Sequence, residues 1–259
     1  MAPRRYSTQQ VVPLLNACVD PIGQALESLT PAQLAEPSIL PGWSVRDLAA
    51  HLVVVADSVR HLEPLPANAG VLSIGEYLSG YVERAERISG LTHEAAAEMD
   101  DIPAGYQQRW EDALAHLESL GDVDKVLARR GAARLADLVV TRVIELVVHA
   151  DDLARSVQLP EPVGLPPAAP ALAAGALLDV LAQRHPGRAL EVRVPPVAAV
   201  QCMAGPRHTR GTPPGVVETD PLTWTRLAAG RVGWSEAVES GALTASGERA
   251  DLSPVLPLL

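Results

Sequence analysis

The chain of 259 residues carries 31 acidic against 21 basic side chains, which gives a net charge of −10 and a pI of about 5.1. Proteins that follow the phosphate backbone of nucleic acids need clustered cations, so this balance argues against a nucleic-acid-binding protein. Hydrophobic residues make up 47% of the chain, which is enough for one large folded domain or two ordinary ones.

The N-terminus, the apolar segments and the cysteines bear on the cellular compartment that the sequence predicts. The charged N-terminus continues into Val11 and Val12 and then Pro13, without the apolar stretch of a secretory signal. The Ala-rich segment 168–182 is too short for a membrane span. The two cysteines, Cys18 and Cys202, have no CxxC spacing; a disulfide and two free thiols both stay open, and a reducing cytoplasm is the default expectation.

The first half of the chain predicts helices and no convincing strand. Thr30-Pro31 and the segment Ser44–Asp47 have the sequence pattern of helix starts, as a cap before proline and as a capping box. Amphipathic periodicity predicts helices near 8–27, 45–61, 74–89, 106–119 and 133–157. This half is therefore expected to form a helix bundle over residues 1–158.

Prolines crowd the segment 159–169, which cannot continue a helix and is expected to be a semi-rigid linker. Beyond it, residues 170–259 predict a small α+β domain. A helix is expected near 170–184, and Asp220-Pro221 and Ser235 are expected to cap two short helices. The four β-like runs are 189–194, 198–203, 216–219 and 243–246.

The most informative helix is the last one of the bundle, because it carries polar side chains on one face. Arg142, Glu145, His149 and Asp152 share that face, and apolar residues cover the others. A helix that is apolar nearly all round is normally buried, and buried charges need partners. The sequence therefore asks what Glu145 and His149 contact.

Two explanations fit this pattern. In the first, Glu145 and His149 stand at i and i+4 of one helix, so both side chains can reach one point. His51 lies on the apolar face of its own predicted helix and is expected to point inward. The three can then ligate one metal ion and leave a coordination position for water or substrate. Asp152 would then orient His149. Equally, Glu145 can pair with Arg142 and His149 with Asp152, with His51 a satisfied core histidine.

A family resemblance favours the metal. The segments Pro41–Leu52 and Arg142–Ala154 resemble the two signature stretches of the mycothiol-dependent maleylpyruvate isomerase N-terminal domain family, which belongs to the DinB-like metal-binding four-helix bundles. The resemblance covers roughly residues 8–157. It implies that His51, Glu145 and His149 bind a divalent metal, expected to be Zn²⁺, and that a thiol such as mycothiol is a cofactor.

The second half resembles the bacterial sterol carrier protein-like domain, through residues 191–202, 218–230 and 241–252. In the isomerase relatives an arginine of this domain helps to bind an anionic substrate. Arg207 and Arg210, with His208 between them, are the candidates here, because a guanidinium suits a carboxylate bidentately. A solvated turn explains the same cationic loop equally well.

Two functions from different classes follow. The first is a metal-dependent isomerase or thiol-transferase that binds a small thiol and acts on an electrophilic, anionic substrate. The second is a carrier protein that holds a lipid or other apolar ligand in the second domain and uses its metal structurally or for regulation. Residues that would line such an apolar cavity, such as Trp224 and Leu243, also fit an ordinary core.

Overall fold

The computed structural model describes residues 3–205 and 215–259, and of residues 80–83 it describes the backbone alone. The chain divides into two compact units. The helical unit comprises Tyr6–Ser73 and Gly80–Ala169. The α+β unit comprises Pro170–Leu259, Ile74–Ser79 and the N-terminal residues as far as Arg5. The two units are described separately below.

The helical unit is built on a four-helix bundle. Its elements, with α4 crossing the division between the units, are α1 (Thr8–Glu27), α2 (Pro31–Ala35), α3 (Val45–Arg60), β1 (Glu63–Pro64), α4 (Ile74–Glu83), α5 (Ala85–Glu98), α6 (Ile102–Ser119), β2 (Lys125–Ala128), β3 (Gly131–Arg134) and α7 (Leu135–Ser156). Helices α1, α3, α6 and α7 pack on one another, and α5 packs on α3. The predicted bundle is confirmed.

Local sequence explains where the bundle helices begin. The Ser44 side chain accepts a hydrogen bond from the backbone of Asp47, whose carboxylate accepts one from the backbone of Ser44, so the predicted capping box opens α3. Asp101 caps α6 with Pro103 in its first turn. Helix α7 is buried over most of its length because apolar residues cover every face except the polar stripe.

The expectation of no strand in this half is wrong. Strands β1, β2 and β3 form a three-stranded antiparallel sheet in which Ala128 lies opposite Gly131 across a two-residue turn. These strands span two to four residues, too short to show alternation of apolar and polar positions. Backbone hydrogen bonds, which leave no sequence pattern, hold them together.

One predicted helix is also divided differently. The expected helix 74–89 ends at Glu83, and after Arg84 a new helix, α5, extends to Glu98. The break gives α5 its own direction, and α5 packs against α3. Helix α6 begins at Ile102, four residues before the expected start near 106.

The α+β unit has the predicted order of elements, and Asp220 caps its helix as expected, but Gly233 and not Ser235 precedes the last short helix. It contains α8 (Ala168–Arg184), β4 (Leu190–Val194), β5 (Ala198–Cys202), β6 (Gly215–Thr219), α9 (Pro221–Ala228), α10 (Trp234–Glu239), β7 (Leu243–Ser246) and a 3₁₀ turn at Ser253–Val255. The strand order is β5-β4-β6-β7, and only the β4–β6 pair is parallel. The core includes Trp224, whose indole donates a hydrogen bond to the Ala174 carbonyl of α8. The predicted fold class is confirmed.

In the part of the chain that the structure describes, no helix has both the length and the apolar character needed to cross a membrane. Cys18 and Cys202 are free and buried, so the disulfide alternative does not hold. Burial raises the pKa of each thiol to about 12, which keeps both protonated and unreactive at neutral pH.

Candidate metal centre

Three side chains from two helices converge in the interior of the helical unit. His51 comes from α3, and Glu145 and His149 come from α7. Oε2 of Glu145 lies 3.6 Å from Nε2 of His51 and 3.3 Å from Nε2 of His149. One potential ligand atom from each of the three side chains lies within 4.8 Å of the others. The three residues that the sequence singled out are thus together.

The geometry follows from how the two helices pack. On α7 the i, i+4 spacing stacks Glu145 and His149 along one face. Helix α3 packs against α7 and turns its buried face, with His51, toward them. The two imidazole rings meet edge to face with centroids 4.7 Å apart. All three side chains are buried, so each polar atom requires a partner.

A second group of residues fixes the orientation of both imidazoles. Nδ1 of His149 lies 2.9 Å from Oδ2 of Asp152, which is fully buried. An ionised carboxylate only accepts hydrogen bonds, so Nδ1 carries the proton and Nε2 faces Glu145. Nδ1 of His51 lies 3.1 Å from the hydroxyl of Thr92 on α5. The predicted contact of Asp152 with His149 is present.

Sequence reasoning missed Thr92 and Trp43. The Trp43 ring packs against His51 with centroids 5.1 Å apart, and its indole donates a hydrogen bond to Ser89 of α5. Trp43 lies in the segment Pro41–Leu52, which carries the family resemblance, so the sequence could have indicated it. Thr92 had none, because its helix was expected to end at residue 89. Both residues contact His51 from a different element, and such contacts cannot be inferred from the spacing of residues along one helix.

The structural pairings expected as an alternative are also present. Nη2 of Arg142 lies 3.6 Å from Oε1 of Glu145, and Nη1 donates a hydrogen bond of 2.8 Å to the hydroxyl of Ser58. Arg142 therefore pairs with one oxygen of Glu145, while the other oxygen faces the two imidazoles. The two explanations coexist, because they use different atoms of the same carboxylate.

Burial and the neighbouring charges shift the pKa values of all three side chains. Burial alone raises the pKa of the Glu145 carboxyl, but hydrogen bonds from His149 and His51 and the charge of Arg142 outweigh burial and hold that pKa well below its ordinary value. Burial also opposes a charged His149, yet Asp152 and Glu145 raise its pKa to about 9. Burial lowers the pKa of His51. At neutral pH the site therefore holds an ionised Glu145 and a positively charged His149, with a proton on each ring nitrogen.

This donor set fits a divalent metal such as zinc. Two imidazole nitrogens and one carboxylate oxygen are ordinary zinc ligands, and three protein ligands leave a fourth position open in catalytic sites. Ligands about 2.0–2.1 Å from a tetrahedral zinc ion lie roughly 3.3 Å from one another. The separations of 3.3 and 3.6 Å around Oε2 of Glu145 are of this size. A metal ion would take the place of the proton on Nε2 of His149, and the Nδ1 proton would stay with Asp152.

Comparisons with known proteins address the family. The model of the mycothiol maleylpyruvate isomerase N-terminal domain matches residues 15–154, more than half of the chain. The chain belongs to this family. Residues 168–258 match a second family, described as the bacterial SCP ortholog. No curated protein matches the sequence. The two-domain resemblance inferred from the sequence is confirmed.

Solved structures agree in fold with this member of the mycothiol maleylpyruvate isomerase N-terminal domain family. A mycothiol-dependent maleylpyruvate isomerase with a histidine-to-alanine substitution matches with a TM-score of 0.61 at 15% identity. The mycothiol-dependent maleylpyruvate isomerase without it matches with a TM-score of 0.57 at 17% identity. Both matches cover 93% of each chain. Identities this low establish the shared fold alone.

In this family member two of the three converging side chains, His51 and Glu145, border a cavity of about 480 Å³ within the helical unit. Its lining combines apolar residues with one carboxylate and several arginines: His51, Val54, Val55, Arg84, Arg87, Ile88, Leu91, Arg129, Arg130, Arg142 and Glu145. Volumes of this size hold small molecules. Arg207, His208 and Arg210, the sequence-based candidates for holding a substrate, lie outside the described residues.

Proposed function

We propose that this protein is a metal-dependent enzyme that uses a small thiol, with mycothiol as the candidate, and acts on a small electrophilic substrate as an isomerase or thiol-transferase. The observation that carries the proposal is the convergence of Nε2 of His51, Oε2 of Glu145 and Nε2 of His149 beside an accessible cavity. A purely structural metal site would be closed by a fourth protein ligand.

In this proposal His51, Glu145 and His149 hold the metal ion, and zinc is the expected ion. When bound, the metal would deprotonate a coordinated thiol and keep it as a nucleophilic thiolate at neutral pH. Asp152 and Thr92 keep both Nε2 atoms aimed at that ion through the Nδ1 contacts.

The remaining lining residues would shape the space in which the substrate reacts. Val54 and Val55 of α3 and Ile88 and Leu91 of α5 supply an apolar wall. An apolar wall excludes water, and charges inside a drier cavity interact more strongly. Arg142 is held rigidly by Ser58 and Glu145 and places a fixed positive charge beside the ligand set.

The choice of thiol is supported by the relatives and not by a contact in this chain. Both solved relatives are described as mycothiol-dependent. Two free, buried cysteines agree with a reducing compartment, so the proposed location is the cytoplasm, and the proposed partners are a small-molecule thiol and the substrate. The carrier function is not favoured: Trp224 and Leu243, which could have lined an apolar cavity, are 0% and 2% exposed core residues.

Metal content tests the proposal. The wild-type protein is expected to hold one zinc or similar ion per chain by elemental analysis, and His51→Ala is expected to lose most of it. His61→Ala is the matched control, because His61 caps the same helix at its exposed end. Addition of mycothiol to the cobalt-substituted protein should produce a sulfur-to-cobalt absorption band. A fully metalated His51→Ala protein, or cobalt protein that shows no change with thiol, would contradict the proposal.

A further inference from the structure

Helix α5 is held to the rest of the helical unit by few apolar side chains. The structure describes every side chain of α5, and the buried ones are Thr92 and Ala96. The next helix, α6, buries larger side chains: Ile102, Tyr106, Trp110, Ala113 and Leu117. Burial of a threonine and an alanine stabilises a helix far less than burial of large aliphatic and aromatic side chains. Helices with few buried apolar contacts open locally at low free energy, so α5 is expected to open more easily than α6.

One polar anchor lies at the C-terminal end of α5. Nε of Arg46 on α3 donates a hydrogen bond of 3.0 Å to the Ala96 carbonyl, and the same guanidinium donates to the Met99 carbonyl. The last carbonyls of a helix have no partner within it, and a cation there also meets the negative end of the helix dipole. Arg46 therefore fixes this end of α5 through contacts that do not involve His51.

The two polar anchors in the middle of α5 both lead to His51. The hydroxyl of Thr92 lies 3.1 Å from Nδ1 of His51. Ser89, on the same face of α5 at i−3, accepts a hydrogen bond of 3.2 Å from the indole of Trp43. The Trp43 ring in turn packs against the ring of His51. Helix α5 thus holds His51 twice, directly and through Trp43.

The same helix forms part of the cavity wall. Ile88 and Leu91 of α5 line the cavity, while Ser89 and Thr92 make the contacts that lead to His51. A histidine ligand binds a metal ion well when the second ring nitrogen has a partner that fixes the ring. Displacement of α5 from α3 would therefore free the His51 ring and remove the wall at the same time.

We propose that metal binding at His51 and docking of α5 on α3 are thermodynamically coupled, and that Trp43 and Ser89 are positioning residues that carry this coupling together with Thr92. The inference rests on the proposed function, because it requires a metal ion on His51. A metal ion on Nε2 leaves the ring proton on Nδ1, beside Thr92, and so favours the state in which α5 is docked.

Coupling of this kind is reciprocal, so docked α5 raises the metal affinity by the same factor by which the metal favours docking. The wall of Ile88 and Leu91 is then most fully in place when the metal is bound. The metal centre and the substrate cavity are therefore completed in one step, and metal binding precedes productive substrate binding.

Hydrogen exchange of the full-length protein, metal-free and zinc-loaded and without thiol, tests the coupling. In the metal-free protein the amides of α5 should exchange faster than those of α6, because local opening is sufficient to expose them. Zinc should slow the exchange of α5 by at least roughly fivefold, the lower end of typical coupling between two sites. The faster starting rate is decisive, since general stabilisation by zinc slows global unfolding and not local opening.

Zinc affinity, measured by competition with a chelator, tests the positioning residues. Ser89→Ala and Trp43→Phe each remove one partner of the same hydrogen bond, so each should lower zinc affinity by roughly two- to tenfold. The double variant should bind zinc about as well as Trp43→Phe alone, because the two changes are not additive. Ser89→Thr keeps the hydroxyl and should restore the affinity. Trp234→Phe, at a half-buried tryptophan of the α+β unit, is the matched control.

The visible spectrum of the cobalt-substituted protein separates positioning from general stability, because it reports the geometry of the ligands. The spectrum should shift in Trp43→Phe and remain unchanged in Trp234→Phe. Zinc binding without a change in α5 exchange, or wild-type zinc affinity in both Ser89→Ala and Trp43→Phe, overturns the coupling and leaves the metal centre standing. A protein that binds no zinc overturns the proposed function and the coupling together. If a variant fails to fold, the zinc dependence of α5 exchange in the wild type still decides the coupling.

Discussion

The floor and the rim of the same cavity are built in opposite ways. The floor is the cluster of His51, Glu145 and His149, of which His51 and Glu145 line the cavity. All three are buried on two long helices and held by further buried side chains. The rim consists of arginines at a helix start and in a hairpin turn, most of them exposed: Arg84, Arg87, Arg129 and Arg130. Buried polar groups need every partner in place, whereas exposed guanidinium groups remain solvated and available.

This difference separates two kinds of specificity. A rigid floor fixes the position of a metal ion and therefore the place where chemistry occurs. Exposed charged side chains that line a cavity attract oppositely charged ligands and favour some ligands over others. Substitutions in the floor should therefore change metal affinity and protein stability, and substitutions in the rim should change only ligand selection.

The largest effect is expected from Glu145→Ala. This change removes the carboxylate shared by His51, His149 and Arg142, so it should abolish metal binding and leave the Arg142 charge buried with one partner fewer. Breaking a buried charge pair in this way costs about 3–5 kcal/mol of unfolding free energy. Urea unfolding of the metal-free proteins measures it, with the exposed Glu94→Ala as control. Equal stability of wild type and Glu145→Ala would show that the floor is not a coupled network.

Asp152→Asn should have the next largest effect. An amide has the same shape as the carboxylate but gives up the charge that fixes the His149 tautomer, so zinc affinity should fall by about 10–100-fold. Competition with a chelator measures this change. The neighbouring Asp151→Asn, whose carboxylate pairs with Arg155 at 3.9 Å, should leave zinc affinity unchanged. A similar loss in both variants would mean that the charge of α7 matters and the contact with His149 does not.

The pH dependence of zinc binding follows from the raised pKa of His149, about 9 against an ordinary 6.5. The second proton of His149, on Nε2 beside Glu145, stabilises the metal-free fold fully below pH 6.5, and this stabilisation is lost as the pH rises through about 9. Zinc must displace the proton, so zinc affinity should rise about tenfold per pH unit between pH 7 and 9. Chelator competition at three pH values measures the slope. A flat profile would contradict the assignment of a proton to His149.

Thr92→Val should have the smallest effect on the floor. Valine keeps the shape of threonine but removes the hydroxyl beside Nδ1 of His51, so zinc affinity should fall by roughly tenfold or less. Thr92→Ser, which retains the hydroxyl, should restore most of the affinity. If the serine variant is as weak as the valine variant, packing against α3 and not the hydrogen bond positions His51.

The contrast between floor and rim also explains what the sequence could predict. Helical periodicity placed Glu145, His149 and Asp152 on one face, and the apolar surroundings of His51 directed it inward, because both signals are local to one helix. The contact of Thr92 with His51 and the pairing of β2 with β3 join segments distant in sequence, and no local pattern encodes them. The grouping of the arginines around one cavity could not be predicted for the same reason. These arginines come from two segments that only the fold brings to one cavity.

The ligand set His51, Glu145 and His149 is proposed to bind one metal ion beside the cavity. Anomalous diffraction at the zinc edge, from crystals of the zinc-loaded protein, tests this claim directly. One strong peak is expected within bonding distance of Nε2 of His51, Oε2 of Glu145 and Nε2 of His149. A map without a peak there, or with zinc bound only at other residues, would contradict it.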